Sequence, residues 1–491
     1  MLSLFSKAVL GKAVLGFAVL TVVSTTTTVL AELPEFSPWH LVPEDDVNLK
    51  CTDERVQEQC YPCTLGTPGN PKPHRYRREI RDMPQEQWDA FVFGLWEMKT
   101  LSMEEGQKKY GRAFKTYDFF PVFHAAVTQS VDGDQGHYGA VFIGFHAMFA
   151  LMMEESLLAI TKKAGLKFDG LPYWFSADDP STLFARVGTH PGLGENYIIN
   201  DGDFAYWPIN NFDEQYWNQF MVDPALSPLT GVLGNNDGKL RSFLAPHNND
   251  FLTAFPWTSD AGVVEPWEGF QYYDKYFACV TEPYSDTYTI FNFTACIDNV
   301  DLTPAGFQIE ESWHVSGHWG LGGRGFFLPD GQYTYGDLAE PIGSPNSPMF
   351  VPLHLYFDFL VAEWKSQNAD AVSETWGFPY ERAWSYNPVP PFQGVKDGIN
   401  ANDVINSNWP ITWADVGMAP YGTPKGERLV TNAEAACWSA KENAPYQYVR
   451  YSGAPAGHPG IDDPAKSNNS EDSEDSFSED SEDSFSEDEE I

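Results

Sequence analysis

Apolar positions recur at intervals of three and four in several stretches of this chain, and each such stretch predicts a helix. Trp88, Phe91, Val92, Leu95 and Trp96 carry that spacing within 86–116, opened by Met83-Pro84-Gln85-Glu86. A second helix is predicted over about 117–130 and a third over about 142–164, on Phe145, Phe149, Met152, Met153 and Leu157. The helical pattern returns at about 307–319 and 350–367. Between them, 165–305 is rich in Gly, Pro, Asn and Asp and reads as loop. Residues 368–465 are aromatic-, Pro- and Gly-rich, with a strand-like Tyr448-Val449-Arg450-Tyr451. The predicted fold class is mainly α: a helical core wrapped in long loops, with a small C-terminal extension.

The two ends break this pattern. Lys7 and Lys12 lie at the start of an apolar run from Ala13 to Val23, and Val29-Leu30-Ala31 offers small residues at a cleavage site. Residues 1–31 therefore read as a signal peptide, with a mature chain beginning near Glu32. A membrane anchor is the alternative, but the run falls short of the ~20 residues a bilayer needs. No later stretch reaches about 18 uncharged apolar residues, so no membrane span is expected. At the other end, Ser-Glu-Asp-Ser-Glu-Asp-Ser-Phe begins at Ser470 and repeats at Ser478. Residues 466–491 have no apolar face and read as a disordered Ser/Asp/Glu tail. Such a tail either solubilises the chain or, phosphorylated or not, binds divalent cations.

The composition narrows the function classes. Apolar residues make up 42% and aromatics 15%, which excludes wholesale disorder of the 491-residue chain. The formal net charge is −39, and only twelve of the acidic residues lie in 467–491. The body is therefore acidic as well, and nucleic acid is excluded as a partner. Six cysteines (Cys51, Cys60, Cys63, Cys279, Cys296 and Cys437) suit disulfides in a secreted, extracellular protein. Cys60-Tyr61-Pro62-Cys63 has no second pair with which to build a zinc site, and the connectivity stays open. Asn292-Phe293-Thr294 and Asn468-Asn469-Ser470 are glycosylation sequons. Residues 32–74 form a Cys- and Pro-rich N-terminal segment.

The candidate chemistry lies in the histidines. Of eleven, His40, His74, His190, His247 and His458 are isolated and read as structural. The other six form two groups in aromatic surroundings. His314 and His318, at i and i+4, project from one helix face and can offer two nitrogens to one metal. His354 sits near the start of the apolar helix Leu353 to Trp364. His137 and His146 are nine apart, and His124 follows the aromatic run from Tyr117 to Phe123. Imidazoles without paired thiolates favour copper, zinc or iron over calcium or magnesium.

With these residues in place, the chain resembles the type 3 copper proteins: tyrosinases, catechol oxidases and the functional units of molluscan haemocyanin. His137 to His146 contains Phe142-Ile143-Gly144-Phe145-His146, matching the family's Phe-x-x-Trp-His with Phe145 for the Trp. Glu154 falls eight beyond His146, and Leu171-Pro172-Tyr173-Trp174 follows. Asp201-Gly202-Asp203-Phe204-Ala205 resembles the segment before the second metal region. That region is matched by His314-Val315-Ser316-Gly317-His318, Gly322-Gly323, Ser347-Pro348-Met349-Phe350, His354 and Asp358. Arg77-Arg78-Glu79-Ile80, followed by Met83, resembles the family's opening helix. The resemblance spans roughly 75–366.

It implies a four-helix bundle around two coppers, one held by His124, His137 and His146 and the other by His314, His318 and His354. The implied activity is oxidation of phenols to o-quinones by dioxygen, with small phenols or protein tyrosines as substrates. Glu310, four before His314, matches the family's catalytic Glu that helps a water take the phenolic proton. Val315 stands where monophenol-hydroxylating members often have Asn, which tilts the expectation toward o-diphenol oxidation. Leu353 replaces the first member of a His-His pair, and Ala147 replaces an Arg. No Cys lies near His137, so a thioether crosslink to it is not expected. The extension 367–465 is either a lid over the copper site or ordinary wrapping of the helices. A weakly active or non-catalytic matrix protein, and an oxygen-carrying unit, are the alternative functions.

Overall fold

The computed structural model describes residues 75–128, 134–137, 140–176, 181–188, 197–210, 250–255, 301–303, 306–308, 313–327, 333–339, 343–367, 381–385, 394–399, 404–405, 411–417, 429–432, 434–435, 444–454 and 460–464. The predicted signal peptide, the six cysteines, both sequons, the acidic tail, Glu310 and the five isolated histidines all lie outside these residues.

The described chain is mainly helical. Helix α1 (Gln85–Thr100) buries Trp88, Phe91, Leu95 and Met98, the face its spacing predicts. It ends at Leu101, whose backbone is extended, so the expected single helix over 86–116 is two. Ser102 then caps α2 (Met103–Tyr110) in a reciprocal box with Glu105, a local signal strong enough to restart the helix there. Gly111, at φ 94°, closes α2 in a conformation that favours glycine.

The segment expected to open the fold as a helix, Arg77-Arg78-Glu79-Ile80, is extended instead. Arg75–Arg77 forms strand β1, and Glu79 bridges Tyr173. Ile80 N–H donates to Tyr173 O at 2.8 Å, and Tyr173 N–H donates to Arg78 O at 2.9 Å. These pairings satisfy the backbone outside a helix, and Pro84, at φ −53° and ψ 141°, holds helical geometry off until Gln85.

Helix α3 (Phe119–Thr128) is buried at all ten positions. Helix α4 (Ala140–Ala164) is buried continuously from Val141 to Glu154. A helix that is apolar on every side belongs inside a core. Val141–Ala164 has the length and composition to cross a membrane, yet 89% of its most apolar window is buried within the protein. Helix α4 packs against α1 and against α7 (Phe350–Gln367), and α6 (Trp313–Gly322) also packs on α7. The short helix α5 (Ser181–Val187) lies between α4 and α6 in the sequence. The pattern expected as a helix over 307–319 divides into a hairpin, β2 (Asp301–Thr303) with β3 (Gly306–Gln308), followed by α6 from Trp313.

The sheets are small. Beyond β2–β3, antiparallel pairs form from β4 (Arg324–Phe327) with β5 (Tyr333–Tyr335), and from β6 (Glu381–Ser385) with β7 (Gly394–Ile399). The remaining pair is parallel and long-range: β8 (Tyr446–Tyr448) lies beside β1 in the register Arg75–Tyr446, Tyr76–Gln447 and Arg77–Tyr448. The strand expected at 448–451 lies at 446–448 instead, sharing only Tyr448, with Val449 in an isolated bridge to Ile461. Under it, the fully buried Arg77 bonds Glu154 of α4 through Nε and Nη2, at 3.1 and 3.0 Å. Its Nη1 bonds Asp358 of α7 at 3.1 Å and the Tyr448 hydroxyl at 3.0 Å. Its guanidinium carbon lies 3.3 Å from the Tyr446 ring centroid. One side chain therefore joins the first described strand, two core helices and the C-terminal strand.

Candidate metal centre

The helices deliver the six histidines to one place. His124 comes from α3, His137 from the turn before α4, and His146 from α4; all are buried. One ring nitrogen from each lies within 4.8 Å of the others. His314 and His318 lie one turn apart on α6, His354 comes from α7, and this triad meets the same distance. The two triads face each other. The rings of His146 and His354 stack at 4.3 Å between centroids, and those of His137 and His314 at 6.0 Å.

Hydrogen bonds behind the rings fix which nitrogen faces inward. Nδ1 of His146 bonds Phe142 O at 2.9 Å, Nδ1 of His354 bonds Phe350 O at 2.8 Å, and Nδ1 of His318 bonds Leu338 O at 2.8 Å. A carbonyl only accepts, so each of these Nδ1 atoms carries the hydrogen, and each neutral ring turns a bare Nε2 lone pair to the centre. Leu338 is itself set by its neighbour Asp337, whose carboxylate takes the Thr253 N–H and hydroxyl, both at 2.8 Å.

The inward nitrogens fit a cation. Nε2 of His314 lies 2.8 Å from Nε2 of His354 and 2.9 Å from Nε2 of His318. One hydrogen on His314 can satisfy only one of these contacts, so the other sets lone pair against lone pair unless a positive ion sits among them. In the facing triad, both nitrogens of His124 and Nε2 of His146 are buried without a hydrogen-bond partner. An unsatisfied buried polar atom costs about 1–3 kcal/mol, and a metal ion would relieve it.

Burial drives the His124, His146, His314 and His354 rings well below the ordinary histidine range, and neighbouring imidazoles lower them further. The rings are thus held in the neutral, metal-binding form. Six imidazoles, with no thiolate beside them among the described residues, suit copper, zinc or iron. Phe142 packs 4.6 Å from His146 and 4.7 Å from His314, and Phe350 stacks on His354 at 3.9 Å. These rings keep water off the nitrogens and strengthen the field at the centre.

The positions that depart from the family pattern divide. Ala147 and Leu353 are buried in the protein interior. Val315 directly follows His314 on α6, and Glu310 lies outside the described residues. The structure adds a residue that the sequence reading passed over: Asp134, whose carboxylate lies 3.1–3.2 Å from Nδ1 of His137. Its only signal in the sequence is an acid three before a histidine, in Asp134-Gln135-Gly136-His137. Glu154 and Asp358, matched by the family pattern, bind Arg77.

The chain is also similar to known proteins. Residues 115–367, just over half of the chain, match the common central domain of tyrosinase. A tyrosinase from Gallus gallus is 21% identical over 348 residues, 64% of this chain and 59% of the chicken protein. The chain thus spans less than two thirds of the length of that relative. A polyphenol oxidase structure from Thermothelomyces thermophila is 16% identical and aligns over 77% of this chain and 89% of its own, with a TM-score of 0.42. A recombinant mushroom tyrosinase structure is 12% identical over 78% of this chain and 63% of its own, also at 0.42.

Proposed function

The chain belongs to the tyrosinase family of type 3 copper proteins, whose members hold two copper ions and act on phenols with dioxygen, and from that premise we propose that it is a secreted oxidase that converts o-diphenols to o-quinones. The observation that carries the reading is the pair of facing triads, each with its ring nitrogens within 4.8 Å of one another. His124, His137 and His146 would hold one copper, and His314, His318 and His354 the other. The expected four-helix bundle is supported by α3, α4, α6 and α7, which carry five of the six histidines.

Bound copper supplies the electron acceptor chemistry: two o-diphenols each give up two electrons and two protons, and one dioxygen becomes two waters. The protein supplies the rest. Main-chain carbonyls of Phe142, Leu338 and Phe350 hold three rings in the ligand tautomer. Phe142 and Phe350 exclude water from the ligand nitrogens and present an apolar wall to an aromatic ring. Glu310 is proposed as the base that removes the phenolic proton, a role supported by its position four before His314. Val315 supplies no amide to hold a water beside that base, which favours substrates that need no ring hydroxylation.

Secretion rests on the signal-like residues 1–31, and disulfides and glycans on the cysteines and sequons. The test is copper stoichiometry on the purified chain, followed by turnover of catechol and of tyrosine. Two coppers per chain, with catechol turned over faster than tyrosine, is the expected result. Fewer than about one copper per chain after reconstitution sinks the oxidase reading, since two imidazole triads in this arrangement should retain it. Two coppers without turnover of either phenol favour the non-catalytic alternative.

A further inference from the structure

Behind three of the six histidines stands a main-chain carbonyl, but behind His137 stands a carboxylate. Its Nδ1 faces both oxygens of Asp134, at 3.2 and 3.1 Å, and both residues are buried. The same carboxylate also shapes the backbone. Oδ1 accepts the N–H of Gly136 at 2.8 Å and that of His137 at 3.0 Å, closing a turn around its own side chain. Gly136 is required inside that turn, because a Cβ there would lie 2.7 Å from Val127 and 3.0 Å from the Phe145 ring. His137 is also the one ligand candidate carried on neither a described helix nor a described strand. It lacks the regular backbone that aims the other five.

We propose that Asp134 is a positioning residue for the first metal: it locks His137 in the tautomer and ring orientation that turn Nε2 inward, and its charge makes His137 the most electron-rich ligand of that triad. The chemistry is that of a carboxylate–histidine–metal relay. A carboxylate accepting the Nδ1 hydrogen raises the donor strength of Nε2, whereas the main-chain carbonyls behind His146, His318 and His354 do so more weakly. A negative charge behind one ligand also favours the more highly charged metal state, so the two coppers are inequivalent by construction. The inference rests on the two-copper reading above.

The experiment uses the full-length protein and two substitutions. Asp134→Asn keeps an oxygen for the two backbone N–H groups but places an amide where the second carboxylate oxygen faces the ring. Asp134→Ala removes the turn as well. Copper affinity is read by competition with a chelator of known strength. Spin resonance after chelator challenge reads the metal left behind, because a lone Cu(II) gives a signal that a coupled pair does not. The melting temperature of the metal-free protein reports the fold.

Asp134→Asn should weaken one of the two coppers by about 10–100-fold, leave a lone-Cu(II) signal, and melt metal-free at the wild-type temperature. Asp134→Ala should lose the same copper and also melt lower. Wild-type affinity for both coppers in Asp134→Asn overturns the proposal. So does a copper loss matched by an equal loss of metal-free stability, which would make Asp134 a turn residue only. A wild-type protein that retains no copper overturns the metal reading itself, and that result is visible before either variant is made.

Discussion

Replacing Arg77 with Met tests whether the C-terminal strand is part of the fold or a detachable cover. The guanidinium is fully buried and meets two carboxylates, a tyrosine hydroxyl and a tyrosine ring. Met fills most of the volume but leaves Glu154 and Asp358 without their shared cation. Removing one partner from a buried ion network costs about 3–5 kcal/mol. Glu154 gives an independent figure. Burial pushes its carboxyl up, yet the charges of Arg77 and Arg75 and the Arg77 hydrogen bonds carry it down from 4.5 to about 2. A displacement of that size corresponds to about 3 kcal/mol. Arg75 and the Leu171 N–H still hold Glu154 in the variant, and Tyr446 and Tyr448 still hold Asp358. The lower end, about 3 kcal/mol, is therefore expected. Urea unfolding of the metal-free protein measures it, free of stabilisation by bound copper. With a denaturant slope near ~3 kcal/mol/M, the midpoint should fall by about 1 M. A variant within about 1 kcal/mol of wild type would refute the reasoning, because no buried charge would then have been uncompensated.

Removing everything after residue 366 should give an unfolded or aggregating chain rather than an activated enzyme, as read by circular dichroism and gel filtration, since Tyr446 and Tyr448 close the Arg77 network; a soluble, faster product would show that 367–465 is a lid. Gly323→Ala should cost more than about 3 kcal/mol, because Gly323 adopts φ 75° and a Cβ there would sit 1.8 Å from Phe255 O; a melting temperature like that of wild type would contradict this. Glu154 predicts a pH window. Its folded pKa is depressed, so its contribution is full above about 4.5 and disappears as pH falls toward about 2; Arg77→Met should flatten that part of the stability–pH curve, and an unchanged slope would count against the assignment.

The long elements were legible because their apolar spacing is sustained. Val141 to Leu157 and Phe350 to Trp364 show it, and both lie in helices. The histidines were legible through the i, i+4 pair His314 and His318 and the family spacing around His146. Boundaries set by a local competitor were not. The Ser102–Glu105 cap interrupts a run whose apolar periodicity reads straight through it. Arg77-Arg78-Glu79-Ile80 was expected to be helical on the family resemblance alone, while its actual partners, Tyr173, Val449 and the carboxylates, lie far away in the sequence. Val449 N–H reaches Arg77 O at 2.9 Å, a pairing that no local pattern announces. Asp134 was missed for a different reason: an acid in a turn is ordinary, and only the ring of His137 against it gives it a role.

The parallel pairing of β1 with β8 has a consequence for the order in which the protein is made. All six metal-site histidines precede Gln367, so they emerge from the ribosome ahead of the C-terminal strand. The strand that buries Arg77 follows roughly 80 residues later, and at typical elongation rates that interval is about 4–16 s. Closing a contact between residues 77 and 448 also carries the loop-closure cost of a very long segment. During that interval Arg77, Glu154 and Asp358 lack the tyrosines that cover them, while the helices bearing the imidazoles can already collapse together. The nascent chain thus has a window in which the histidines are gathered and the fold is still open, and a copper donor acting then would not have to force its way into a finished core.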